Sequence, residues 1–242
     1  MKIKLPPAAL ALLILATAAF AQTVTITPKK TVYRRPKPIM KFKRTFSIRR
    51  PLAKAATPAI SKAITAAISP EKILEINMKD ELGEYQWLEE ADYKVIFNRD
   101  GILCVNLWMT GTAAYPDSVE RYVTVSSADA HVLKSGELFS NLPALAAAVR
   151  KKQRVEIKAS TDEMKKDPEN ADVHPEQLFE EAKFTVAELN SFFIDAAGVT
   201  FVYDYGFPHV LTALEPTGQY HMSWSELKPF IKRGGLLARF VR

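Results

Sequence analysis

The stretch Phe192-Phe-Ile-Asp-Ala-Ala-Gly198-Val-Thr-Phe-Val-Tyr203 places two short apolar runs on either side of a turn. Its β-branched and aromatic residues favour strands, and the central Asp-Ala-Ala-Gly has the composition of a turn. We therefore predict strands over residues 191–194 and 199–203. Tyr220, Met222 and Trp224 alternate with other residues further along the chain, which predicts a third strand.

Helix-capping patterns flank these strands. Thr185 and Glu188 have the spacing of a threonine cap with its acid, and Ser223 and Glu226 repeat that spacing before a predicted helix over 225–232. Gly234-Gly235 is typical of a helix end. The C-terminal part of the chain is therefore predicted to mix short strands with capped helices.

The earlier part of the chain has the same mixture. Ile60, Ile64 and Ile68 are spaced by four residues, which predicts a helix over 59–68. Asn98-Arg-Asp-Gly101 separates an alternating run from an apolar run and predicts a hairpin. Further predicted elements are a strand over 119–125 and an alanine-rich helix over 142–149.

The fold class that follows is α+β, a single mixed domain with helices packed on antiparallel sheet. The chain is 48% hydrophobic, so it can form a core rather than remain disordered. We place the two halves of the domain at residues 41–150 and 173–242. Residues 151–172 are polar with few apolar anchors, and we interpret them as a surface excursion between the halves.

The N-terminus has the pattern of an export signal. Lys2 and Lys4 precede an apolar run, and Ala19-Phe20-Ala21 is a small-x-small cleavage site. We therefore predict a signal peptide over residues 1–21 and a periplasmic or secreted protein. An uncleaved N-terminal anchor is the alternative. No transmembrane span is expected in the mature chain.

Charge is distributed unevenly along the sequence. No acidic residue precedes Glu71, and the first seventy residues contain 14 Lys and Arg, so the remainder carries a net charge of −8. Residues 22–40 read as a basic, proline-containing tail. We expect this tail either to bind an anionic surface of the envelope or to act as a solvated spacer. Residues 22–50 as a whole are expected to be poorly ordered in isolation and dispensable for thermal stability. Nucleic acid is not an expected partner.

Local motifs for catalysis or metal binding are absent from the sequence. The histidines have no metal-ligand spacing, and no glycine-rich phosphate loop or nucleophile elbow occurs. We therefore expect no metal, no cofactor and no catalytic residue. Adjacent acids such as Glu89-Glu90 and Glu180-Glu181 are interpreted as solvated faces. Cys104 lies in an apolar run and is interpreted as a buried hydrophobic residue.

The densest unusual segment is Val202-Tyr-Asp-Tyr-Gly-Phe-Pro-His-Val210. One interpretation is a rigid loop that binds a partner through its aromatic side chains. The other is a loop whose aromatics fold inward and close one end of the sheet. Under either interpretation, Gly206 is expected to resist replacement if it adopts a positive φ, where a side chain is costly. The candidate binding residues are Tyr203, Asp204, Tyr205, Phe207 and His209.

The chain resembles a bacterial family from Phe192 onward. The resemblance is carried by Phe192-Phe-Ile-Asp, Gly198-Val, Phe201-Val-Tyr203, Tyr205, Gly218 and Ser225-Glu-Leu-Lys228. The first half fits through the helix over 59–68, the hairpin over 98–101, Gly111, Tyr115-Pro116 and Val132-Leu-Lys-Ser-Gly136-Glu-Leu-Phe139. Over residues 41–233 the chain is similar to the extracellular domain of RsiV-type anti-sigma factors, a domain also found beside peptidoglycan deacetylases.

The resemblance implies a binding module that works outside the membrane, and its best-known members are lysozyme receptors. Because few residues precede the apolar run and none follow Arg242, we expect neither the sigma-factor segment nor the deacetylase. The expected function is a non-enzymatic envelope-binding domain whose ligand is a lysozyme-like protein or a cell-wall polymer. An envelope hydrolase or peptidoglycan-modifying enzyme with a dispersed active site is the alternative.

Overall fold

The computed structural model describes residues 23–170 and 172–241. The strands are β1 (Thr25–Arg34), β2 (Thr45–Lys54), β3 (Leu88–Arg99), β4 (Ile102–Thr112), β5 (Pro116–Ser126), β6 (Phe192–Ile194), β7 (Gly198–Val202) and β8 (Gln219–Ser223). The helices are α1 (Pro58–Ala67), α2 (Pro70–Ile73), α3 (Met78–Leu82), α4 (Ser135–Leu138), α5 (Leu142–Met164), α6 (Pro175–Leu178) and α7 (Trp224–Leu227). The predicted signal peptide over residues 1–21 lies outside the described residues. Within them, no helix combines the length and apolar character needed to cross a membrane.

The fold class predicted from the sequence, α+β, is confirmed. One sheet has five strands in the order β1-β2-β3-β4-β5, and the other has three in the order β6-β7-β8. β1 and β2 pair antiparallel, whereas β2 and β3 pair in parallel at Ser47 with Glu90 and Ile48 with Ala91. The first sheet is therefore mixed rather than antiparallel throughout. Helices α1 to α3 supply the long connection that a parallel pair requires.

Residues 192–203 supply two of the three strands of the second sheet. β6 and β7 pair antiparallel from Phe192 opposite Phe201 to Ile194 opposite Val199, and β7 pairs antiparallel with β8. Asp195 Oδ1 accepts hydrogen bonds from the backbone of residues 197 and 198, which closes the predicted turn. A Cβ on Gly198 would lie 2.1 Å from the Met222 carbonyl oxygen, so this close strand approach requires glycine.

Local elements of the first half also match the sequence pattern. The hairpin between β3 and β4 turns at Asp100 and Gly101, with φ of 56° and 78°. Two successive positive φ values are typical of a type I′ turn, whose twist fits a hairpin. Thr57 caps α1, and Pro58 occupies its first position.

The described chain divides into two compact units. The first comprises the described residues up to Leu103 together with Trp108–Val119 and Val125–His131. The second comprises Cys104–Leu107, Glu120–Thr124 and the described residues from Val132 onward. Each unit has its own buried apolar residues: Phe46, Ile48, Ile64, Ile68 and Leu88 in the first, and Leu145, Val149, Phe184, Leu189 and Phe201 in the second.

The predicted basic tail, residues 22–40, takes part in the first sheet. All ten residues of β1 are in register with β2, from Thr25 opposite Lys54 to Arg34 opposite Thr45. Tyr33 stacks on Phe46 with 5.0 Å between ring centroids. The expectation of a spacer that lies outside the fold is therefore wrong for β1, because pairing and stacking outweigh the mutual repulsion of its basic side chains.

Helix α5 is longer than the sequence analysis predicted. It runs over 23 residues to Met164, through most of the stretch that we interpreted as a surface excursion. Lysine, arginine, glutamine and glutamate are good helix formers, and no glycine or proline lies between Pro143, in the first turn, and Pro168. Buried Gln153 and Met164 mark the face by which the polar half of the helix packs.

Two further predictions from the sequence concern Cys104 and the helix that follows β8. Cys104 is buried, and burial is the main cause that raises the pKa of its thiol to about 11. It is therefore an inert apolar residue, as the sequence indicated.

The capping box of Ser223 and Glu226 is present, but α7 ends at Leu227 rather than extending to residue 232. Pro229 lacks the backbone donor that a continued helix would use.

Candidate functional site

The loop that follows β7 turns sharply at Gly206. The φ of Gly206 is 64°, and Asp204 Oδ1 accepts a hydrogen bond from its backbone nitrogen at 2.9 Å. Before the turn, the Tyr203 nitrogen donates to the Gly218 carbonyl oxygen at 2.8 Å. A short Asx turn and one strand-like hydrogen bond therefore set the direction in which the loop side chains point.

Phe207 lies inside the second unit. Its side chain is 8% exposed and packs in an apolar cluster with Met164 from the end of α5 and Phe179 from the residue after α6. The Phe179 and Phe207 ring centroids are 5.3 Å apart. This part of the loop agrees with the interpretation in which aromatic side chains fold inward.

Tyr205 occupies an intermediate position between this cluster and solvent. Its ring lies 5.4 Å from Phe179, and its hydroxyl lies 2.6 Å from that of Tyr220 on β8. The Tyr205 hydroxyl also donates to Glu156 Oε2 at 3.1 Å. The polar end of Tyr205 is thus fixed from two elements, α5 and β8.

The Glu156 carboxylate is the centre of this hydroxyl network. Its Oε2 accepts from Tyr220 at 2.7 Å, and its Oε1 accepts from the Thr217 hydroxyl at 2.8 Å. Burial is the main cause that raises the pKa of both Tyr205 and Tyr220 well above the usual phenol value. Both phenols therefore stay protonated and act as hydrogen-bond donors at neutral pH.

A pocket of about 440 Å³ lies beside Tyr205. Its walls are Gln177, Leu178, Glu180, Glu181, Ala182, Tyr203 and Tyr205. The Tyr203 and Tyr205 rings meet edge to face with centroids 5.0 Å apart, and the Tyr203 hydroxyl accepts from the Lys183 nitrogen at 3.1 Å. We call this set of residues the tyrosine pocket. It combines two aromatic rings, each fixed by hydrogen bonds of its hydroxyl group, with two exposed carboxylates.

The five predicted binding residues are thus separated by the fold. Tyr203 and Tyr205 line the tyrosine pocket, and Phe207 is buried in the apolar cluster. Asp204 is exposed and forms the Asx turn, and His209 is exposed at the start of the 3₁₀ helix His209–Leu214. One part of the loop therefore folds inward and another part lines a pocket, so neither the inward-folded interpretation nor the partner-binding interpretation describes the whole loop.

Sequence reasoning missed most of the residues that complete this site, among them four with ionisable or hydroxyl groups. The sequence places Glu156 in the predicted polar excursion and Tyr220 in a predicted strand. It indicates only a solvated face for Glu180 and Glu181. Both glutamates are exposed, so that interpretation of their environment holds, but they also line the pocket. No local signal links α5, β8 and the segment after α6, because these elements meet only in the folded chain.

Among the described residues, no group of three or more His, Cys, Asp or Glu side chains is arranged to hold a metal ion. The groups that the tyrosine pocket offers are carboxylates and aromatic rings. Such a pocket can bind a cationic or amphipathic group through carboxylates and ring faces.

Comparisons with known proteins identify the fold. No protein-family profile matches the chain, and no characterised protein matches its sequence significantly. A DUF3298 family member from Bacteroides fragilis NCTC 9343 matches with a TM-score of 0.55 at 12% identity, over 92% of this chain and 98% of that one. A DUF3298 family protein from Pseudomonas aeruginosa PAO1 matches with a TM-score of 0.54 at 14% identity, over 88% and 95%. The chain is therefore similar in fold to DUF3298 proteins, a family whose name denotes a domain of unknown function.

Proposed function

We propose that this chain is an exported, non-enzymatic binding domain of the bacterial cell envelope, of the RsiV type. The observation that carries the proposal is the tyrosine pocket, in which Tyr203 and Tyr205 stand beside Glu180 and Glu181. Tyrosine supplies a large contact area at low entropic cost, which is typical of protein-recognition surfaces. The sequence resemblance supports the same class of function.

Of the two ligand classes, the charges favour a basic protein such as a lysozyme-like enzyme. Residues 71–242 carry a net charge of −8, and Glu180 and Glu181 add two exposed carboxylates at the pocket itself. Opposite charge on a partner would accelerate association and orient it. A cell-wall polymer with amino groups is the other ligand that this chemistry could bind.

The network around Glu156 gives the pocket a fixed shape. Its hydrogen bonds to Tyr205 and Tyr220 hold one ring of the wall before any ligand arrives. A side chain that is already ordered loses less conformational entropy on binding, which increases affinity. The phenols, whose pKa values burial raises further above neutral pH, would contribute hydrogen bonds rather than nucleophilic or basic chemistry.

The binding proposal can be tested by titrating the purified protein with lysozyme. The double variant Glu180→Gln, Glu181→Gln should weaken binding about tenfold and reduce its salt dependence, because two charges leave the pocket. Glu75→Gln, Glu84→Gln removes the same charge from exposed positions of the other unit and should leave binding unchanged. Tyr205→Ala should weaken affinity by about 2 kcal/mol.

Equal loss with both double variants would mean that overall charge, not the pocket, determines binding, and no binding of lysozyme would exclude it as the ligand. Zymography on peptidoglycan separates the enzymatic alternative. Wall cleavage that disappears in Glu156→Gln would contradict a non-enzymatic role. Cell fractionation tests export, and recovery of intact Met1 in the cytosol would contradict it.

A further inference from the structure

The connection between β1 and β2 exposes three large apolar side chains within four residues. Ile39 is 58% exposed, Met40 is 51% exposed and Phe42 is 61% exposed. Every residue from 36 to 42 is exposed. Isolated apolar residues on a surface are ordinary, but a cluster of this kind marks an interaction site. We call residues 36–44 the apolar-basic loop.

Buried polar side chains hold the backbone of this loop. Gln86 is 1% exposed; its Oε1 accepts from the Ile39 nitrogen at 3.0 Å, and its Nε2 donates to the Lys37 carbonyl oxygen at 2.7 Å. Arg35 donates from Nη1 to the Lys43 carbonyl oxygen at 3.0 Å. The loop is therefore fixed from the protein side, and its apolar side chains remain in solvent instead of folding onto the core.

The basic residues in the loop and immediately before it fall into two groups. Arg35 and Lys43 are buried and form ion pairs with Glu81 at 2.9 Å and Glu89 at 3.0 Å. The exposed basic residues are Arg34, Lys37, Lys41 and Arg44. None of these four forms an ion pair within the described part of the chain, and no acidic residue occurs before Glu71.

We propose that the apolar-basic loop is a membrane-docking element that binds the surface of an anionic phospholipid bilayer. Ile39, Met40 and Phe42 insert at the boundary between headgroups and acyl chains, and the exposed basic residues contact the headgroups. Apolar side chains beside basic ones are the composition of interfacial anchors, because burial and charge attraction act together. The proposal concerns the first unit and does not depend on the tyrosine pocket.

A bilayer accounts for this composition better than an anionic polymer does. A polymer such as a wall phosphate chain would be attracted by Lys37 and Lys41 but offers no apolar phase for Phe42. A hydrocarbon boundary satisfies both groups of side chains. The two partners therefore make different predictions for apolar and for charge substitutions.

The test measures sedimentation of the full chain with vesicles of phosphatidylglycerol and phosphatidylcholine, and with phosphatidylcholine alone. Ile39→Ser, Met40→Ser, Phe42→Ser should weaken binding to the anionic vesicles at least tenfold. The matched control Val155→Ser, Val186→Ser, Val210→Ser removes three exposed apolar side chains from the second unit and should leave binding unchanged. All variants share residues 1–22, so any contribution from that segment cancels.

Charge is tested with Lys37→Gln, Lys41→Gln, which should weaken binding to anionic vesicles roughly 30-fold at low salt. Its control, Lys228→Gln, Lys232→Gln, removes the same charge from exposed positions of the second unit. Equal binding by the loop variants and their controls would overturn the proposal. So would loss of binding in the charge variant with full retention in the serine variant, which would indicate an anionic polymer as the partner.

Discussion

Replacing Arg35 with methionine should destabilise the first unit severely, although Arg35 lies in a segment that reads as a tail. The side chain is buried, and its Nη2 donates to Glu81 Oε2 at 2.9 Å and to the Leu88 carbonyl oxygen at 2.6 Å. Nε donates to the Glu81 carbonyl oxygen at 2.7 Å. The guanidinium carbon also lies 4.6 Å from the centroid of the Phe46 ring.

The expected loss of unfolding free energy is about 3 to 5 kcal/mol, since removing one partner of a buried ion pair leaves the other charge uncompensated. Methionine fills much of the volume of arginine, so the loss reports the missing hydrogen bonds more than a cavity. Glu81 would keep only the donation from the Leu88 nitrogen to its carboxylate, at 2.8 Å. Adding Glu81→Gln should recover part of the loss, because it removes the unpaired charge.

Urea unfolding followed by circular dichroism and tryptophan fluorescence would measure this effect. The matched control is Arg34→Met, one residue earlier on β1, where the side chain is exposed. That substitution should change stability by less than about 0.5 kcal/mol. The reasoning would be refuted if Arg35→Met cost less than about 1 kcal/mol, or if Arg34→Met cost as much.

Three further predictions concern the second unit. Phe207→Ala should cost about 3 kcal/mol in urea unfolding by opening a cavity beside Met164, whereas Phe207→Leu should cost less than about 1.5 kcal/mol. Gly218→Ala should lower the free energy of unfolding by more than about 3 kcal/mol, because its φ is 62° and its Cβ would lie 2.0 Å from a carbonyl oxygen. Gly234 has a φ of 72° and open space around it, so Gly234→Ala should lower the free energy of unfolding by only about 1 to 2 kcal/mol. A hydrogen bond from Lys152 is the main cause that lowers the pKa of Glu226 to about 2. The ionised Glu226 carboxylate therefore stabilises the folded state above the unfolded pKa, and this stabilisation is lost as pH falls toward 2. Glu226→Gln should lower the free energy of unfolding at pH 7 but not at pH 2.

The elements that the sequence predicted are those whose structure depends on residues close together along the chain. The turn at Asp195 and Gly198, the hairpin at Asp100 and Gly101, and the cap of Ser223 and Glu226 each depend on residues within a few positions of one another. Such patterns act before any distant contact forms, so they can be identified without the fold.

The elements that were missed depend on partners far along the chain. β1 is stabilised by pairing with β2, and the Arg35 guanidinium donates its hydrogen bonds to atoms of residues 43, 81 and 88. The parallel pairing of β2 with β3 likewise needs the whole connection through α1 to α3. From the sequence alone, a basic run with prolines is more typical of a solvated segment than of a sheet edge.

The candidate site was predicted in part for the same reason. The density of aromatic residues in the sequence identifies the loop, and the structure gives its glycine a positive φ. The assignment of Phe207 to the interior and Tyr205 to the pocket wall required Met164, Phe179 and Glu156, which come from other elements. Composition locates such a loop but does not determine which of its side chains are accessible.

The division of the basic segment into buried and exposed residues changes how its role must be tested. The sequence predicts that deletion of residues 22–50 leaves stability nearly unchanged, but this deletion removes β1, part of β2 and the Arg35 interactions together. We now expect that deletion to lower the melting temperature by many degrees, because a full sheet edge and a buried ion pair are lost. Calorimetry on the deleted chain would check this, and an unchanged melting temperature would show that β1 contributes little. Substitution of Lys37 and Lys41, which are exposed, can therefore separate surface attraction from folding, and truncation cannot.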